Sequence, residues 1–255
     1  MQHQSSHAVL VGDPVIGTDA HDRLLVDAIV ATAAVSESIA IRLERPHFED
    51  DYDDVISLLE DRFGARSDGD EIVYEGATDR EIGDELTALL TIDSWQRVHA
   101  LRSIRLSRDG RCCLEYVPEH TSLTLDEDAN PAVISVVRAA LEPHPAGVFS
   151  TESLVEWEHG ETSYRIAPPS LCIGNTYFGV RMLARIEPDR DQRVIALSWH
   201  EPSAGVPGRV LEKTIGLIGE PRPHELRFSS LESFESARDV LERITDITAI
   251  DGSSR

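Results

Sequence analysis

The stretch that decides the fold is IAIRLERP, Ile39 to Pro46, because a close variant of it, IALSWHEP, recurs at Ile195 to Pro202. In the first octet Ile39, Ile41 and Leu43 alternate with polar or small residues, a period of two that predicts a β-strand. The proline that closes each octet ends the strand, since proline has no backbone N–H to donate to a neighbouring strand. The chain is therefore expected to use one strand-centred unit at least twice.

The residues after the first octet predict a helix, a short strand and a second helix. Apolar residues at 55, 56, 58, 59 and 63 form a helical stripe. EIVYEG, Glu71 to Gly76, predicts the strand, and Thr78 with Glu81 three residues later predicts the cap of the second helix. After the second octet GRVLEKTIGLIG, ELRFSS and LESFESARDVLERITDI predict the same order, the last helix being capped by Ser229 or Ser230.

The middle of the chain predicts a third, looser copy of this unit. SIRLSRDGRCCLEYV contains two strands around Asp109 and Gly110, a dipeptide typical of two-residue hairpins. Asn130 followed by Pro131 predicts the start of a helix, whose apolar positions lie 78 residues after those of the first copy. A further helix is expected to start at Thr151 and to end early.

These spacings predict an α+β fold built from two or three internal repeats, each a β-hairpin, a helix, a short strand and a helix. The expected division is residues 8–92, 93–160 and 161–248, the second repeat being divergent, with a flexible tail at 249–255. Antiparallel sheets with helices packed on one side follow from this order. The run LLVDAIVATAAV, Leu24 to Val35, is interpreted as an apolar strand before the first octet. Convergent patterning in one irregular α+β domain is the alternative.

The charge of the chain is strongly negative and spread along its length. Among 255 residues, 46 are Asp or Glu and 24 are Lys or Arg, which gives a formal net charge of −22, and Lys213 is the single lysine. An acidic, lysine-poor surface with an apolar content of 41% predicts a protein of a halophilic archaeon, where molar salt screens the self-repulsion. An ordinary acidic protein from a bacterium with a GC-rich genome is the alternative.

The cysteines and the first residues indicate a cytoplasmic protein. Cys112 and Cys113 are adjacent and Cys172 is the third, so the count is odd and no disulfide framework is expected. All three are predicted to be reduced and mostly buried. MQHQSSHAVLVGDP has no basic region followed by an apolar run, and no stretch of the chain is apolar enough to span a membrane, so neither a signal peptide nor membrane association is expected.

No stretch of the sequence carries the spacing of a catalytic or cofactor-binding motif. VLVGDPVIGTDAHD and SLCIGNTYFG contain glycines of the kind found in phosphate-binding loops, but they lack the required spacing and predict tight turns. No serine lies in a strand-to-helix elbow flanked by glycines. The catalytic residues of any activity therefore stay unknown, and no cofactor is expected.

One arrangement of histidines follows from the repeats. His47, His120 and His200 each lie close to the proline that ends a strand. If three copies surrounded a pseudo-threefold axis, these imidazoles could converge as ligands of zinc or a similar ion. Their offsets from the prolines differ between copies, so three ordinary polar strand ends are the preferred interpretation and no metal site is expected.

The favoured function is a non-enzymatic binding or assembly protein that acts as a scaffold for a protein partner or a homo-oligomer. Repeats that keep their architecture while losing side-chain identity indicate that shape is preserved rather than one catalytic arrangement. Trp199 and His200, at the end of the second octet, are the candidate binding residues, since tryptophan is enriched at the centres of protein interfaces.

Two further functions stay open. The first is a nucleic-acid-associated regulator or clamp-like factor, although a charge of −22 disfavours phosphate contact. Its candidate residues are Arg102 and Arg105 within a longer arginine cluster of Arg97, Arg102, Arg105, Arg108 and Arg111. The second is an enzyme with a site between repeats, for which no residue is assigned.

Overall fold

The computed structural model describes residues 5–12, 15–44, 53–79, 82–200 and 221–248, apart from the side chains of 94–96. The chain divides into two compact units. The first unit contains Met1–Val9 and Gly17–His144, and the second contains Leu10–Ile16 and Pro145–Arg255. The described residues form six α-helices and antiparallel sheets, so the mixed α+β class predicted from the sequence is confirmed. No helix within these ranges is long and apolar enough to cross a membrane.

The first unit is an antiparallel sheet accompanied by five helices among its described residues. In chain order its elements are β1 (His7–Val11), α1 (Asp19–Ala33), β2 (Ser38–Glu44), α2 (Asp53–Arg62), β3 (Gly64–Asp68), β4 (Glu71–Ala77), α3 (Gly83–Leu90), α4 (Ser94–Ala100), β5 (Leu101–Arg108), β6 (Arg111–Val117), β7 (Ser122–Leu125) and α5 (Ala132–Leu141). The strand order is β3-β4-β2-β5-β6-β7-β1, and the last residues of β1 continue into the second unit.

The first octet forms β2, a strand inside this sheet, as its alternation predicts. β2 pairs in antiparallel fashion with β4 on one side and with β5 on the other. Ile39, Ile41 and Leu43 are buried, whereas Ala40 and Arg42 on the opposite face are half-buried. The period of two therefore separates a core face from a more open face.

The run from Leu24 to Val35 is helical, so its interpretation as an apolar strand is wrong. All but its last two residues lie in α1, which packs against α3 and α5 and buries Leu24, Leu25, Ala28 and Ile29 on one face. These positions recur with the 3.6-residue period of a helix, and the run is longer than a typical strand. The helix starts where the Thr18 hydroxyl accepts a hydrogen bond from the backbone N–H of His21.

Two turn and cap predictions in the first unit have opposite outcomes. Asp109 and Gly110 join β5 to β6 with φ angles of 50° and 72°, as a two-residue hairpin loop requires, so that hairpin is confirmed. Thr78 does not cap α3, which begins at Gly83. Its hydroxyl instead donates to the Ser36 carbonyl oxygen at 2.6 Å, which satisfies the side chain outside the helix. Glu81 lies outside the described residues.

The second unit contains two antiparallel sheets and one long helix among its described residues. Its elements are β8 (Ala146–Ser150), β9 (Val155–His159), β10 (Thr162–Ala167), β11 (Ser170–Ile173), β12 (Thr176–Gly179), β13 (Leu183–Asp189), β14 (Val194–Trp199), β15 (Glu225–Arg227) and α6 (Leu231–Thr248). One sheet has the order β12-β11-β10-β9 and the other the order β13-β14-β15.

The helix expected at Thr151 is absent from this described region, and that prediction is wrong. The chain instead enters β9 at Val155. Val155 and Trp157 are buried while Glu156 and Glu158 are exposed, which is a strand period and not a helical one. His159 ends β9 and Gly160 turns the chain into β10 with a φ of 64°, as the sequence predicts.

Helix α6 covers the core of the second unit. Its buried face includes Phe234, Leu241 and Ile244, which belong to one apolar cluster with residues of both sheets. The Ser230 hydroxyl accepts a hydrogen bond from the backbone N–H of Ser233 at 3.1 Å, so Ser230 caps this helix as predicted. Trp157 stacks on Phe228 within the same core, with ring centroids 4.7 Å apart.

The division into repeats at 8–92, 93–160 and 161–248 stays a prediction. Each octet contains a strand that lies between two others, β2 in the first unit and β14 in the second. The segment GRVLEKTIGLIG, the proline of the second octet and the tail 249–255 lie outside the described residues. The similarity of the octets in sequence remains the support for a duplication.

Candidate functional site

Trp199 and His200, the candidate binding residues, use their polar ring atoms inside the second unit. The indole N–H of Trp199 donates to the Pro223 carbonyl oxygen at 2.7 Å, and the Arg222 guanidinium lies 5.7 Å from the centre of the indole. The Nε2 atom of His200 lies 3.0 Å from the carbonyl oxygen of Thr248, the last residue of α6. These contacts tie the end of β14 to the 221–223 segment and to α6.

The arginine cluster of the first unit is paired with carboxylates throughout. Arg102 pairs with Glu44, and the Nε atom of Arg105 donates to Glu115 at 2.7 Å. The remaining pairs are Arg108 with Glu37 at 3.9 Å, Arg111 with Asp126 at 3.7 Å, and Arg97 with Asp22 at 2.6 Å. A carboxylate beside each guanidinium offsets the positive charge that a phosphate backbone would need.

Two of the three histidines considered as metal ligands lie within the described residues. His120 is exposed at the end of a single 3-10 turn after β6, and His200 directly follows β14. His47 lies outside the described residues. Within the described ranges no three His, Cys, Asp or Glu side chains are grouped so that they could hold a metal ion.

The adjacent cysteines lie in β6 on opposite faces of the strand. Cys113 is fully buried and Cys112 is half-buried, and neither forms a disulfide. Burial, reinforced by the nearby Glu115 carboxylate, raises the pKa of the Cys112 thiol to about 12. Burial also raises the pKa of Cys113. Both groups are therefore protonated thiols of low reactivity.

A buried polar cluster in the first unit was missed by sequence reasoning. Arg97 is 2% exposed and donates to the Leu90 carbonyl oxygen as well as to Asp22. His21 beside it is 3% exposed, and its Nε2 atom has no hydrogen-bond partner among the described residues. Burial, with Arg97 nearby, lowers the pKa of His21 to about 4. Burial raises the pKa of Tyr116, which lies against Arg97, to about 12.

On the outer face of the four-stranded sheet of the second unit, one residue from each strand forms a row across the sheet. Arg165 of β10 lies opposite Glu156 of β9 and opposite Cys172 of β11, and Cys172 lies opposite Tyr177 of β12. Alternate residues on the other face, among them Ile166, belong to the apolar core. The row Glu156–Arg165–Cys172–Tyr177 therefore faces away from that core.

This row lies in a recess of about 520 Å³, named here the Arg165 recess. Its charged and polar lining residues are Glu156, Glu158, Ser163, Arg165 and Asn175, and its other lining residues are Trp157, Tyr164, Cys172, Gly174 and Tyr177. Tyr177 is 64% exposed, the highest value among the large apolar side chains of the described residues. The Nη2 atom of Arg165 lies 3.7 Å from the Cys172 sulfur. Among the described residues no carboxylate lies within ion-pair distance of Arg165, in contrast to the arginine cluster of the first unit.

The sequence holds only a partial signal for this recess. The sequence SLCIGNTYFG predicts a turn. Gly174, the first glycine of this segment, has a φ of 55° and turns the chain between β11 and β12. That turn brings Tyr177 back beside Cys172, and a second turn brings Arg165 beside Glu156. Register between strands sets these neighbours, and the sequence alone does not specify it.

Comparison of the chain with models of known protein families, with curated proteins and with solved structures finds no match.

Proposed function

We propose that the chain is a non-enzymatic binding or assembly protein of the cytoplasm of a halophilic archaeon, and that it binds a partner protein through the Arg165 recess. The observation that carries the proposal is an exposed aromatic residue, Tyr177, in the same recess as Arg165. Although Glu156 lies opposite Arg165 on the neighbouring strand, Arg165 forms no ion pair within 4 Å among the described residues. Tyrosine and arginine are among the residues most enriched at the energetic centres of protein interfaces.

The positive charge of Arg165 indicates which charged group the partner presents to it. In a chain where 46 acidic residues face 24 basic ones, carboxylates are abundant, and many of the described arginines have one within 4 Å. Arg165 lies opposite Glu156 in the sheet but outside ion-pair distance of it, so its guanidinium can donate charge-assisted and often bidentate hydrogen bonds to a carboxylate of another protein. The partner therefore presents an Asp or Glu opposite Arg165.

The residues around Arg165 indicate the other groups that the partner presents to the recess. Glu156 and Glu158 are exposed on the same face, so the partner presents hydrogen-bond donors or cations opposite them. Tyr177 offers an aromatic ring that costs little side-chain entropy when it is buried. Charges of both signs beside an exposed tyrosine match the composition of protein interfaces.

The nucleic-acid alternative is less well supported by the same residues. Two glutamates beside Arg165 repel a phosphate backbone, and the arginine cluster that includes Arg102 and Arg105 is already paired with carboxylates. Trp199 and His200 stay candidates for binding. Their contacts with Pro223 and Thr248 suggest that they hold the end of β14 in place. The alternative of an enzyme with a site between repeats stays a prediction without assigned residues.

The test is affinity capture from a lysate of the source organism in molar KCl, with the full chain as bait. Arg165→Glu and Tyr177→Ala alter the recess. Arg185→Glu is the matched control for the charge change, because Arg185 lies on the other sheet of the same unit with its side chain 72% exposed. Leu231→Ala is the matched control for loss of an exposed apolar side chain, since Leu231 is 41% exposed at the start of α6.

The proposal predicts a protein, identified by mass spectrometry, that the original chain and both controls retain and that both recess variants lose. Truncation of an interface anchor typically weakens binding by more than about 2 kcal/mol, roughly thirtyfold. A captured protein that all five baits retain equally would contradict the recess as the binding surface. A nucleic acid retained in place of a protein would favour the alternative function.

A further inference from the structure

Strand β3 is an open edge of the first unit's sheet. Among the described strands it pairs only with β4, in a one-to-one register from Gly64 opposite Glu75 to Asp68 opposite Glu71. All five of its residues are exposed. An edge strand of this kind presents unpaired backbone N–H and C=O groups that can bind another strand.

Two of the usual protections of an edge strand, a proline and a bulge, are not found in β3. Its register with β4 is continuous. Its two charged residues, Arg66 and Asp68, have opposite signs and lie on the same face two positions apart. In a chain with a net charge of −22, this edge is therefore locally neutral.

The spacing of these two charges selects one way for β3 to pair with a second copy of itself. Antiparallel pairing of identical strands occurs about a twofold axis perpendicular to the sheet, so residues on the same face lie opposite each other. A pair centred on Arg66 places two arginines in contact, and a pair centred on Asp68 places two aspartates in contact. A pair centred on Ser67 places Arg66 of each copy opposite Asp68 of the other.

We propose that two copies of the chain associate through β3, in an antiparallel pair centred on Ser67. Arg66 and Asp68 already belong to an ion-pair network within one copy. Arg66 lies 3.1 Å from Glu75 and 3.7 Å from Asp68, and Arg42 lies 3.4 Å from Asp68. The dimer continues this network across the joined edges, with two reciprocal Arg66–Asp68 pairs. The inference is independent of the proposed function, because β3 belongs to the first unit and the Arg165 recess to the second.

The test is the molar mass of the full chain by light scattering in molar KCl, over a wide range of protein concentration. Arg66→Asp and Asp68→Arg each replace two attractive cross-strand pairs with two repulsive ones. Each is expected to raise the dimer dissociation constant roughly tenfold to hundredfold. The double variant Arg66→Asp with Asp68→Arg restores opposite charges and is expected to return to within about threefold of the original value.

Two controls complete the design. Arg185→Asp makes the same charge change on the exposed surface of the second unit and is expected to leave dimerisation unchanged. Circular dichroism of each variant checks that the chain stays folded. A chain that is monomeric at every concentration would overturn the proposal. So would a dimer that both single variants leave intact, or one that the double variant fails to restore.

Discussion

The guanidinium of Arg97 in α4 lies 2.6 Å from the carboxylate of Asp22 in α1, and this ion pair is largely buried in the first unit. Arg97 is 2% exposed and also donates to the Leu90 carbonyl oxygen. The arginine that opens the cluster at 97–111 is therefore part of the packing between helices. Only the remaining members of that cluster reach the surface.

Replacement of Arg97 by methionine is expected to destabilise the first unit by roughly 3 kcal/mol. Removal of one partner of a buried ion pair leaves the other charge poorly compensated, which typically costs about 3–5 kcal/mol. The lower end applies because the Asp22 side chain retains 20% exposure. Denaturant unfolding in molar KCl measures the loss.

Arg105→Met is the matched control for this prediction. Arg105 makes the same kind of pair, with Glu115, but its side chain is 47% exposed, and exposed pairs contribute about 1 kcal/mol or less. Equal losses of unfolding free energy for the Arg97 and Arg105 variants would show that burial of the Arg97–Asp22 pair has no energetic consequence.

His21 is expected to make the first unit less stable in acid. Its pKa is lowered from 6.5 to about 4 in the folded chain, so below about pH 6.5 the unfolded chain binds a proton that the folded chain does not. Stability is therefore complete above about pH 6.5 and falls as the pH is lowered towards 4. The expected loss across this window is roughly 3 kcal/mol. Unfolding free energies at a series of pH values measure it.

The variant His21→Leu separates this histidine from the many carboxylates that also titrate in acid. Because leucine has no proton to bind, the loss between about pH 6.5 and pH 4 is expected to shrink by most of the His21 contribution. An unchanged pH dependence in the leucine variant would contradict a neutral, buried His21.

Local patterns in the sequence predict much of the fold. The alternation at Ile39, Ile41 and Leu43 predicts β2, and Asp109-Gly110 predicts the β5–β6 hairpin, because strand period and positive φ are properties of neighbouring residues. Helix α1 was not predicted, because a continuous apolar run is also compatible with a buried strand. Only the length of the run distinguishes the two.

The candidate site could be predicted only in part, because its neighbours come from distant positions. Arg165 and Tyr177 share a face through two hairpin registers, and Asp22 lies 75 positions before the arginine it binds. Nothing in a single sequence indicates which arginine forms an ion pair with a carboxylate in the fold. The difference between Arg165 and the paired Arg105 is therefore visible only in the structure.

Cys112 is expected to resist alkylation in the folded chain. Its pKa of about 12 keeps the thiol of the folded chain protonated at about pH 8. In the unfolded chain the thiol has the ordinary pKa of about 8.5, so a substantial fraction is the reactive thiolate at that pH. Iodoacetamide labelling followed by peptide mass spectrometry compares the native and denatured states. Labelling of native Cys112 as fast as in denaturant would contradict its raised pKa.

Salt is expected to stabilise the whole chain. A net charge of −22 repels itself in the folded state, and raising KCl from about 0.1 M to about 1 M shortens the Debye length from about 10 Å to about 3 Å. The melting temperature is therefore expected to rise over this range, as measured by scanning calorimetry. A melting temperature that stays level or falls would argue against adaptation to a salt-rich cytoplasm.

The most direct measurement of the central claim is site-specific photocross-linking in molar KCl. The photoreactive amino acid p-benzoylphenylalanine replaces Tyr177 in one protein and Leu231 in a control, and each is irradiated in lysate of the source organism. The account predicts one heterologous protein adduct from position 177, absent from position 231 and lost when Arg165→Glu is added. No adduct at 177, the same adduct from both positions, or an adduct only between copies of this chain would contradict it.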